Sequence, residues 1–160
     1  MRIRPATSSD REAVWSIMEP TIRAGDTYPL PATLTRDESL DYWFDRSHEV
    51  FVAERADTVV GTYYLRANHP GGGSHVANCG YMTLASARGH GVGAAMCAHS
   101  LQRAKERGFL AMQFNFVVST NTAAVHLWKK AGFAVVGVVP RAFRHPKDDL
   151  VDVFVMHRFL

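Results

Sequence analysis

The sequence predicts an α/β protein with a mixed central sheet of about seven strands and helices on both faces. Two observations predict this class: seven short segments carry alternating or continuous apolar residues, and four longer segments carry them at helical spacing. The segments follow one another as β-α-α-β-β-β-α-β-α-β-β, and such intermixing is typical of α/β architectures. Because it has no repeat, linker or low-complexity tract, the chain of 160 residues is predicted to form a single domain over 1–160.

The strand predictions rest on short apolar segments that are bounded by turn residues. Ala56 and Asp57 separate two of these segments, and the loop Pro70–Ser74 precedes the next one. The predicted strands are, in chain order, 2–6, 50–54, 59–66, 75–84, 110–118, 133–139 and 151–158.

The helix predictions rest on capping and stop signals as well as on spacing. Ser9 or Asp10 can cap the first helix, which Pro20 would kink or end early. Thr35 and Glu38 form the pattern of a capping box at the start of the second helix. The predicted helices run over about 11–24, from Thr35 to Phe44, over 91–107 until Gly108, and over 121–131 until Gly132.

The composition is ordinary for a globular protein, with 47% hydrophobic and 21% charged residues. No apolar run approaches the roughly 20 residues that cross a bilayer, and the N-terminus has no basic-then-apolar signal segment, so no membrane partner is expected. Cys79 and Cys97 suggest reduced thiols and a cytoplasmic location. The eight histidines have no spacing that brings two ligands onto one helix face, so no metal is expected.

The net charge of +3 is unevenly distributed along the chain. Residues 1–80 carry eight Arg and eleven acidic residues, a net −3, whereas residues 81–160 carry ten basic and four acidic residues, a net +6. The basic half would attract a polyanionic cofactor. Nucleic acid is not an expected partner, because the chain has no nucleic-acid-binding motif and no basic stripe rich in aromatic residues.

The segment Tyr81–Met96 reads as a strand, a turn with three alternating glycines, and the start of a helix. Backbone N–H groups and a helix N-terminus would converge there, and such an arrangement binds phosphate. No Lys-Ser or Lys-Thr follows, as a P-loop requires, and the acid at the distance that a dinucleotide fold requires is Glu106, inside the predicted helix. A third pattern, Arg-x-x-Gly-x-Gly, is filled by Arg88, Gly91 and Gly93.

A second signature lies in Phe114–Phe133, where a strand leads to an Asn that opens a helix with the pattern Ala-x-x-Leu-aromatic-x-Lys-x-Gly-Phe. Together with the glycine turn, in this order and at this spacing, it resembles the GCN5-related N-acetyltransferase (GNAT) family over most of the chain. Asn78, Asn115 and Asn121 look like a branch that includes fungal acetyltransferases for azetidine-2-carboxylate and related proline analogues.

The resemblance implies an enzyme that transfers the acetyl group of acetyl-CoA to the amine of a small molecule, with amino acids and their analogues among the acceptors. Asn78 matches a residue implicated in holding the substrate, so it is the candidate catalytic residue. A homodimer is also expected, since many relatives pair through their late strands. The residues that match cofactor-binding positions are Tyr81, Met82, Thr83, Arg88, Gly89, His90, Gly91, Val92, Gly93, Ala94, Asn115 and Asn121.

The chain departs from the family pattern at Trp128, where many GNAT enzymes have a tyrosine that protonates the leaving thiolate. An indole N–H is not a useful proton donor. Two alternatives therefore stand beside the small-amine enzyme: a protein or peptide N-acetyltransferase, and a non-catalytic acyl-CoA-binding regulatory domain. No motif identifies the general base, for which the candidates are Glu54, Tyr63, His75 and Tyr81.

The acceptor is expected to bind between the N-terminal helices and the loop before the last strand. Tyr28 and Leu30 would form one wall, and Arg141, Phe143 and Arg144 the other. An arginine at that place can bind a substrate carboxylate.

Overall fold

The computed structural model describes residues 1–160, and it confirms the predicted α/β fold with a mixed seven-stranded sheet. The strands are β1 (Arg2–Pro5), β2 (Glu49–Arg55), β3 (Thr58–Ala67), β4 (Val76–Thr83), β5 (Ala111–Val118), β6 (Ala134–His145) and β7 (Asp149–Phe159). The helices are α1 (Arg11–Ala24), α2 (Arg36–Trp43), α3 (Val92–Glu106) and α4 (Thr122–Lys130).

Local signals explain where the first two helices begin and end. α2 starts at the predicted capping box: the Glu38 N–H donates to Thr35 Oγ1 at 3.3 Å, and the Thr35 N–H donates to Glu38 Oε2 at 2.8 Å. α1 continues through Pro20 and ends at Gly25, which has a left-handed φ of 61°. Pro20 is exposed, so water can bind the carbonyl that its missing N–H leaves free.

The sheet separates two hydrophobic cores, because alternate residues of a strand point to opposite faces. In β2, Val52 packs with α1 and α2, whereas its neighbour Phe51 packs with α3. Helix α3 lies close to β3 at Gly61, where an added Cβ would be 2.8 Å from Val92 Cγ1. This close approach holds the N-terminus of α3 against the middle of the sheet.

The strand order is β1-β2-β3-β4-β5-β7-β6, and only β4 and β5 are parallel neighbours. Their pairing is short, because it is limited to Val76 with Ala111 and Ala77 with Met112. From Asn78 onward the two strands separate, and a gap opens inside the sheet. We call this the central gap.

The last two strands are longer than predicted and form an extended hairpin. β6 continues through Pro140 to His145, which is possible because it is an edge strand whose outer side needs no N–H partner. The register shifts between Val139 and Phe143, where Arg141 adopts a left-handed φ of 52°. None of the helices combines the length and the apolar character that crossing a membrane requires.

Candidate active site

The central gap begins at Asn78, whose side chain joins the two separating strands. Its Nδ2 donates to the Gln113 carbonyl of β5 at 2.9 Å, and only 6% of the residue is exposed. The side-chain amide therefore replaces the first main-chain hydrogen bond that the parallel pair lacks. This is a structural contact at the residue that the sequence marks as the catalytic candidate.

Further along β4, the main-chain groups of Tyr81 are hydrogen-bonded to a tyrosine from the loop between α1 and α2. The Tyr28 hydroxyl accepts from the Tyr81 N–H and donates to the Tyr81 carbonyl, both at 2.8 Å. Burial raises the pKa of Tyr28 well above its ordinary value, so this hydroxyl stays protonated. The Leu84 N–H points the other way, to Val60 of β3. Because main-chain groups alternate along a strand, Thr83 faces the gap as Tyr81 does.

The glycine turn after β4 presents a set of unpaired backbone N–H groups. Gly89 and Gly91 adopt left-handed φ values of 77° and 78°, with no atom within 4 Å of an added Cβ. The turn is closed by the His90 N–H, which donates to the Ala87 carbonyl at 3.4 Å. The N–H groups that make no hydrogen bond within the protein are those of Gly89, Gly91, Val92, Gly93 and Ala94. Three of them begin α3, so the positive end of the helix dipole adds to the site.

These groups lie along a groove of about 1160 Å³ between the ends of α3 and α4. We call it the large groove. Of the predicted cofactor residues, it is lined by Tyr81, Met82, Thr83, Arg88, Gly89, Gly91, Val92, Gly93, Ala94 and Asn121. Asn121 Oδ1 also caps α4 by accepting from the Ala124 N–H at 3.2 Å. The side chain of His90 lies outside the groove and contacts the Arg88 carbonyl.

A second, smaller cavity of about 230 Å³ lies on the other side of the central gap. We call it the small cavity. Its polar side chains include Tyr42, Tyr64, Arg66, Asn78 and Asn115, and its apolar wall includes Phe116. Asn115 thus lines this cavity rather than the large groove, which differs from its predicted place among the cofactor residues. The two spaces share Thr27, Tyr28, Tyr81, Asn121, Ala124 and Trp128, so a reaction joining two ligands would occur there.

The walls of the small cavity are fixed by close contacts. Asn115 Nδ2 donates to the buried Asn68 Oδ1 at 2.6 Å. The ring of Tyr64 lies directly over Gly80, where an added Cβ would be 2.5 Å from the ring. The Tyr64 and Tyr42 hydroxyls are 3.3 Å apart. Any side chain at Gly80 would therefore push the Tyr64 ring away from the strand and change the shape of the cavity.

None of the predicted general bases places its functional group in the small cavity. Glu54 is bound to Arg4 at the far edge of the sheet, and His75 is exposed and lines neither space. The Tyr63 hydroxyl contacts His99 Nδ1 at 2.6 Å, outside both spaces. The Tyr81 hydroxyl is 2.7 Å from Ser100 Oγ, in the core under α3. No carboxylate or imidazole lines the small cavity.

The cysteines have the environment of structural thiols. Both are buried, and burial raises the pKa of Cys79 to about 12 and that of Cys97 to about 11. They remain protonated at neutral pH and are poor nucleophiles. No three His, Cys, Asp or Glu side chains converge as metal ligands would.

Two of the predicted acceptor walls differ from the structure. Tyr28 lines both spaces, but Leu30 lines neither, because its side chain packs with the core under α1 and α2. Arg141 and Arg144 are exposed on β6, on the far side of β7, and Arg144 pairs with Asp149 at 3.0 Å. The sequence patterns did not identify Tyr42, Tyr64 and Arg66 as site residues. Tyr42 belongs to α2, and Tyr64 and Arg66 belong to β3, which reads as a core strand.

Trp128 is the aromatic residue at the junction of the two spaces. Its ring centroid is 4.9 Å from that of Tyr81 and 4.8 Å from that of Phe114. Only 8% of the residue is exposed. The indole therefore packs as part of the core, and the hydroxyl-bearing residues that line both spaces are Thr27, Tyr28 and Tyr81.

Comparison with known protein families and sequences gives one consistent result. Residues 13–133 match the model of the acetyltransferase (GNAT) family. N-acetyltransferase aca1 of Schizosaccharomyces pombe is 29% identical over 139 residues, which are 77% of this chain and 66% of that protein. The match thus spans slightly less than two thirds of this curated relative.

Solved structures have the same fold. A GCN5-related N-acetyltransferase from Kribbella flavida is 42% identical, with a TM-score of 0.95 over 99% of this chain and 97% of that one. The protein yncA from Salmonella typhimurium, solved with its cofactor acetyl-CoA, is 21% identical. It has a TM-score of 0.88 over 100% of this chain and 94% of that one.

Proposed function

The chain belongs to the acetyltransferase (GNAT) family, and we propose that it transfers the acetyl group of acetyl-CoA to the amine of a small molecule. The single observation that carries this proposal is the junction of two spaces at Tyr28, Tyr81 and Trp128. The large groove suits an extended polyanionic cofactor, and the small cavity suits a compact acceptor. Amino acids and their analogues are the acceptor class that we propose to test first.

The large groove fits acetyl-CoA by the chemistry of its donors. The five unpaired N–H groups from Gly89 to Ala94 suit the oxygens of a diphosphate. Arg88 is exposed beside them and adds a positive charge. Bound acetyl-CoA would supply an acetyl thioester to the junction. We propose that Tyr81 and Thr83, whose main-chain groups face the central gap, pair with the extended arm of the cofactor.

One main-chain group and one side chain support acetyl transfer at the junction. A main-chain N–H of the Tyr81–Thr83 segment would donate to the thioester oxygen, where negative charge develops during attack by the amine. The Tyr81 N–H is one such donor, and the cofactor would displace the Tyr28 hydroxyl that accepts from it. Asn78, at the floor of the small cavity, would orient the acceptor through its side-chain oxygen.

The acceptor amine must reach the junction without its proton, since an ammonium group has no lone pair. No carboxylate or imidazole lines the small cavity. We therefore propose that the amine enters uncharged or loses its proton to water. The size of this cavity, about 230 Å³, favours a small acceptor over the open groove that a peptide needs.

The second candidate function is a non-catalytic acyl-CoA-binding domain, and Trp128 is the observation that favours it. Without a phenol at this position, the leaving thiolate lacks the usual proton donor. A thiolate is nevertheless a tolerable leaving group, so we retain acetyl transfer as the primary proposal.

One experiment separates these functions. Thiol release from acetyl-CoA is measured with a panel of small amines, amino acids and peptides, together with the affinity for acetyl-CoA. Turnover with small amines is the expected result. Tight binding of acetyl-CoA without turnover of any amine would favour the binding domain, and turnover of peptides alone would exclude a small acceptor.

We also propose that the protein is cytoplasmic and that it forms a homodimer. Two buried, protonated thiols are consistent with the reducing conditions of a cytoplasm. The edge strand β6 exposes Val136 by 60% and Val138 by 53% of their surface. A homodimer that covers this strand would remove these apolar side chains from water.

A further inference from the structure

Arg66 is the one ionised side chain that lines the small cavity, and it has no acidic partner. Six other arginines of the chain pair with carboxylates within 4 Å, namely Arg4, Arg11, Arg23, Arg36, Arg103 and Arg144, whereas Arg66 is among those that do not. Arg66 instead makes one long contact, from Nε to Asn78 Oδ1 at 3.5 Å, and its two terminal nitrogens donate to no protein group.

No carboxylate makes an ion pair with Arg66. The nearest acidic group is that of Asp45, whose carboxylate accepts from the Ser47 hydroxyl at 2.6 Å and the Ser47 N–H at 2.8 Å; these hydrogen bonds, and to a smaller extent the charge of Arg66, lower the pKa of Asp45. The other polar groups of the cavity are neutral hydroxyls and amides. A half-buried guanidinium with free terminal nitrogens and no counter-ion is suited to bind an anion that comes from solution.

The shape of the Arg66 guanidinium indicates which kind of anion it would bind. The two terminal N–H groups of arginine match the two oxygens of a carboxylate in a bidentate geometry. Arg66 pairs across the sheet with Asn78, at the floor of the small cavity, and Tyr81 at the junction lies three residues further along β4. A carboxylate at Arg66 would therefore leave the rest of a compact molecule pointing along the strand toward the junction.

We propose that Arg66 binds the carboxylate of the acceptor, so that the preferred substrates carry both an amine and a carboxylate. This inference rests on the proposed acetyl transfer and specifies its acceptor as an amino acid. The same positive charge disfavours acceptors that carry additional ammonium groups, because nothing in the cavity neutralises them. Diamines and polyamines are therefore poor substrates.

The test compares each acceptor with its own carboxamide, which keeps the amine and loses the charge. A panel of α-, β- and γ-amino acids and the matching amides is acetylated by the unmodified protein, by Arg66→Gln and by Arg55→Gln. Arg55 is an exposed arginine at the end of β2, outside both spaces. We expect Arg66→Gln to lower kcat/KM for the acids by about 10- to 150-fold, mainly through KM, since hydrogen bonds to charged groups contribute about 1.5–3 kcal/mol.

The amides should change little in Arg66→Gln, and Arg55→Gln should match the unmodified protein with both kinds of acceptor. Acetyl-CoA affinity, measured by calorimetry, reports whether each variant is folded. Arg66→Lys, which keeps the charge but loses the bidentate geometry, should have an intermediate preference and provides the test if Arg66→Gln does not fold. An unchanged ratio of acid to amide turnover in both Arg66 variants would overturn the proposal.

Failure of this inference and failure of the proposed function give different results. If the unmodified protein acetylates acids and amides equally well, after kcat/KM is corrected for the fraction of uncharged amine in each acceptor, acetyl transfer stands and the carboxylate site falls. If no amine is acetylated, acetyl transfer falls, and the carboxylate site is decided by calorimetry with N-acetylglycine. Binding of N-acetylglycine to the unmodified protein that is lost in Arg66→Gln supports the carboxylate site. Absence of binding to the unmodified protein overturns it.

Discussion

The Tyr28 hydroxyl is held by both main-chain groups of Tyr81, a residue 53 positions later in the chain, through two hydrogen bonds of 2.8 Å. A side chain thus occupies the position in the central gap that a neighbouring strand would fill in a regular sheet. If the cofactor pairs with the same main-chain groups, the hydroxyl must give way when acetyl-CoA binds. This competition leads to the first prediction.

Tyr28→Phe should bind acetyl-CoA up to about 10-fold more tightly, because binding no longer replaces an existing hydrogen bond worth about 0.5–1.5 kcal/mol. The ligand-free variant should be less stable, since Tyr81 loses two partners. Calorimetry and urea unfolding measure the two effects. Tyr63→Phe is the control: it loses a buried hydrogen bond to His99 outside both spaces, so its acetyl-CoA affinity should not change. Weaker binding by Tyr28→Phe would mean that the hydroxyl contacts the cofactor directly.

Gly91→Ala should weaken acetyl-CoA binding by about 10-fold or more, because the left-handed conformation at φ 78° orients the N–H groups of the turn. A matched control is available at the other end of α3, where Gly108 has φ 80° and equal free space around an added Cβ. Each alanine should lower the free energy of unfolding by about 1–2 kcal/mol. Only Gly91→Ala should affect calorimetric affinity, and equal affinities would argue against the turn as the cofactor site.

Asn78→Ala should lower kcat by about 10-fold or more, which corresponds to about 1.4 kcal/mol, while acetyl-CoA affinity changes little. The variant also leaves the Gln113 carbonyl without its partner, so its stability falls. Ser39→Ala removes a side-chain hydrogen bond to the Thr35 main-chain carbonyl, outside both spaces, and controls for such a loss. If the two variants have equal kcat values at equal melting temperatures, Asn78 has only the structural role of joining β4 and β5.

The pH dependence of turnover should follow the acceptor rather than the protein. Because no carboxylate or imidazole lines the small cavity, kcat/KM should rise tenfold per pH unit until the pKa of the acceptor amine is reached. Two acceptors whose amine pKa values differ by one unit should have profiles displaced by one unit. A plateau at one fixed pH for both acceptors would identify a base on the protein.

The stabilisation of the fold by Asp10 should be complete above the pH at which unfolded carboxylates ionise and should decrease progressively below it. Asp10 is 5% exposed and accepts from Arg4 at 2.7 and 2.8 Å, which holds its pKa well below the ordinary value. Its contribution is therefore complete above the unfolded pKa of about 3.9 and is lost as the pH falls further. Asp10→Asn should lose about 1.5–3 kcal/mol at pH 7.

Urea unfolding between pH 7 and pH 2.5 tests this expectation. The difference between Asp10→Asn and the unmodified protein should be constant from pH 7 to about 5 and shrink below about pH 4. Asp41→Asn is the control, because its carboxylate is 77% exposed and 3.4 Å from Arg11, so its loss should matter little. A difference that grows in acid would contradict the assigned sign.

The fold was predictable because its signals are local. The capping box at Thr35 and the glycine stop at Gly132 depend on neighbouring residues only, and each helix begins and ends within a residue or two of its predicted limits. α1 does not end early at Pro20, as the sequence suggested it could, because an exposed proline removes only one hydrogen bond. β6 passes Pro140 for the related reason that it lies at the sheet edge.

The acceptor side of the site was not predictable, because it depends on strand register. Tyr64 and Arg66 belong to a strand that reads as continuous core, and only the pairing with β4 sets them opposite Gly80 and Asn78. Tyr42 meets Tyr64 across the two elements that carry them. Sequence motifs do not reveal such pairs. Tyr28 was predictable because it lies in a proline-containing loop between the first two helices.

Because β4 and β5 pair over only two residues each, the sheet has two halves with few main-chain hydrogen bonds between them. Residues 1–84 supply one half of the sheet and residues 109–160 the other. The contacts between these halves include the two β4–β5 residue pairs and the side-chain hydrogen bonds Asn78–Gln113 and Asn68–Asn115. The hydrophobic core under α3 contains residues of both halves, so it holds them together where the strands do not pair. A cofactor that lies between β4 and β5 would add contacts between the two halves. Bound acetyl-CoA should therefore make the unfolding of the protein more cooperative.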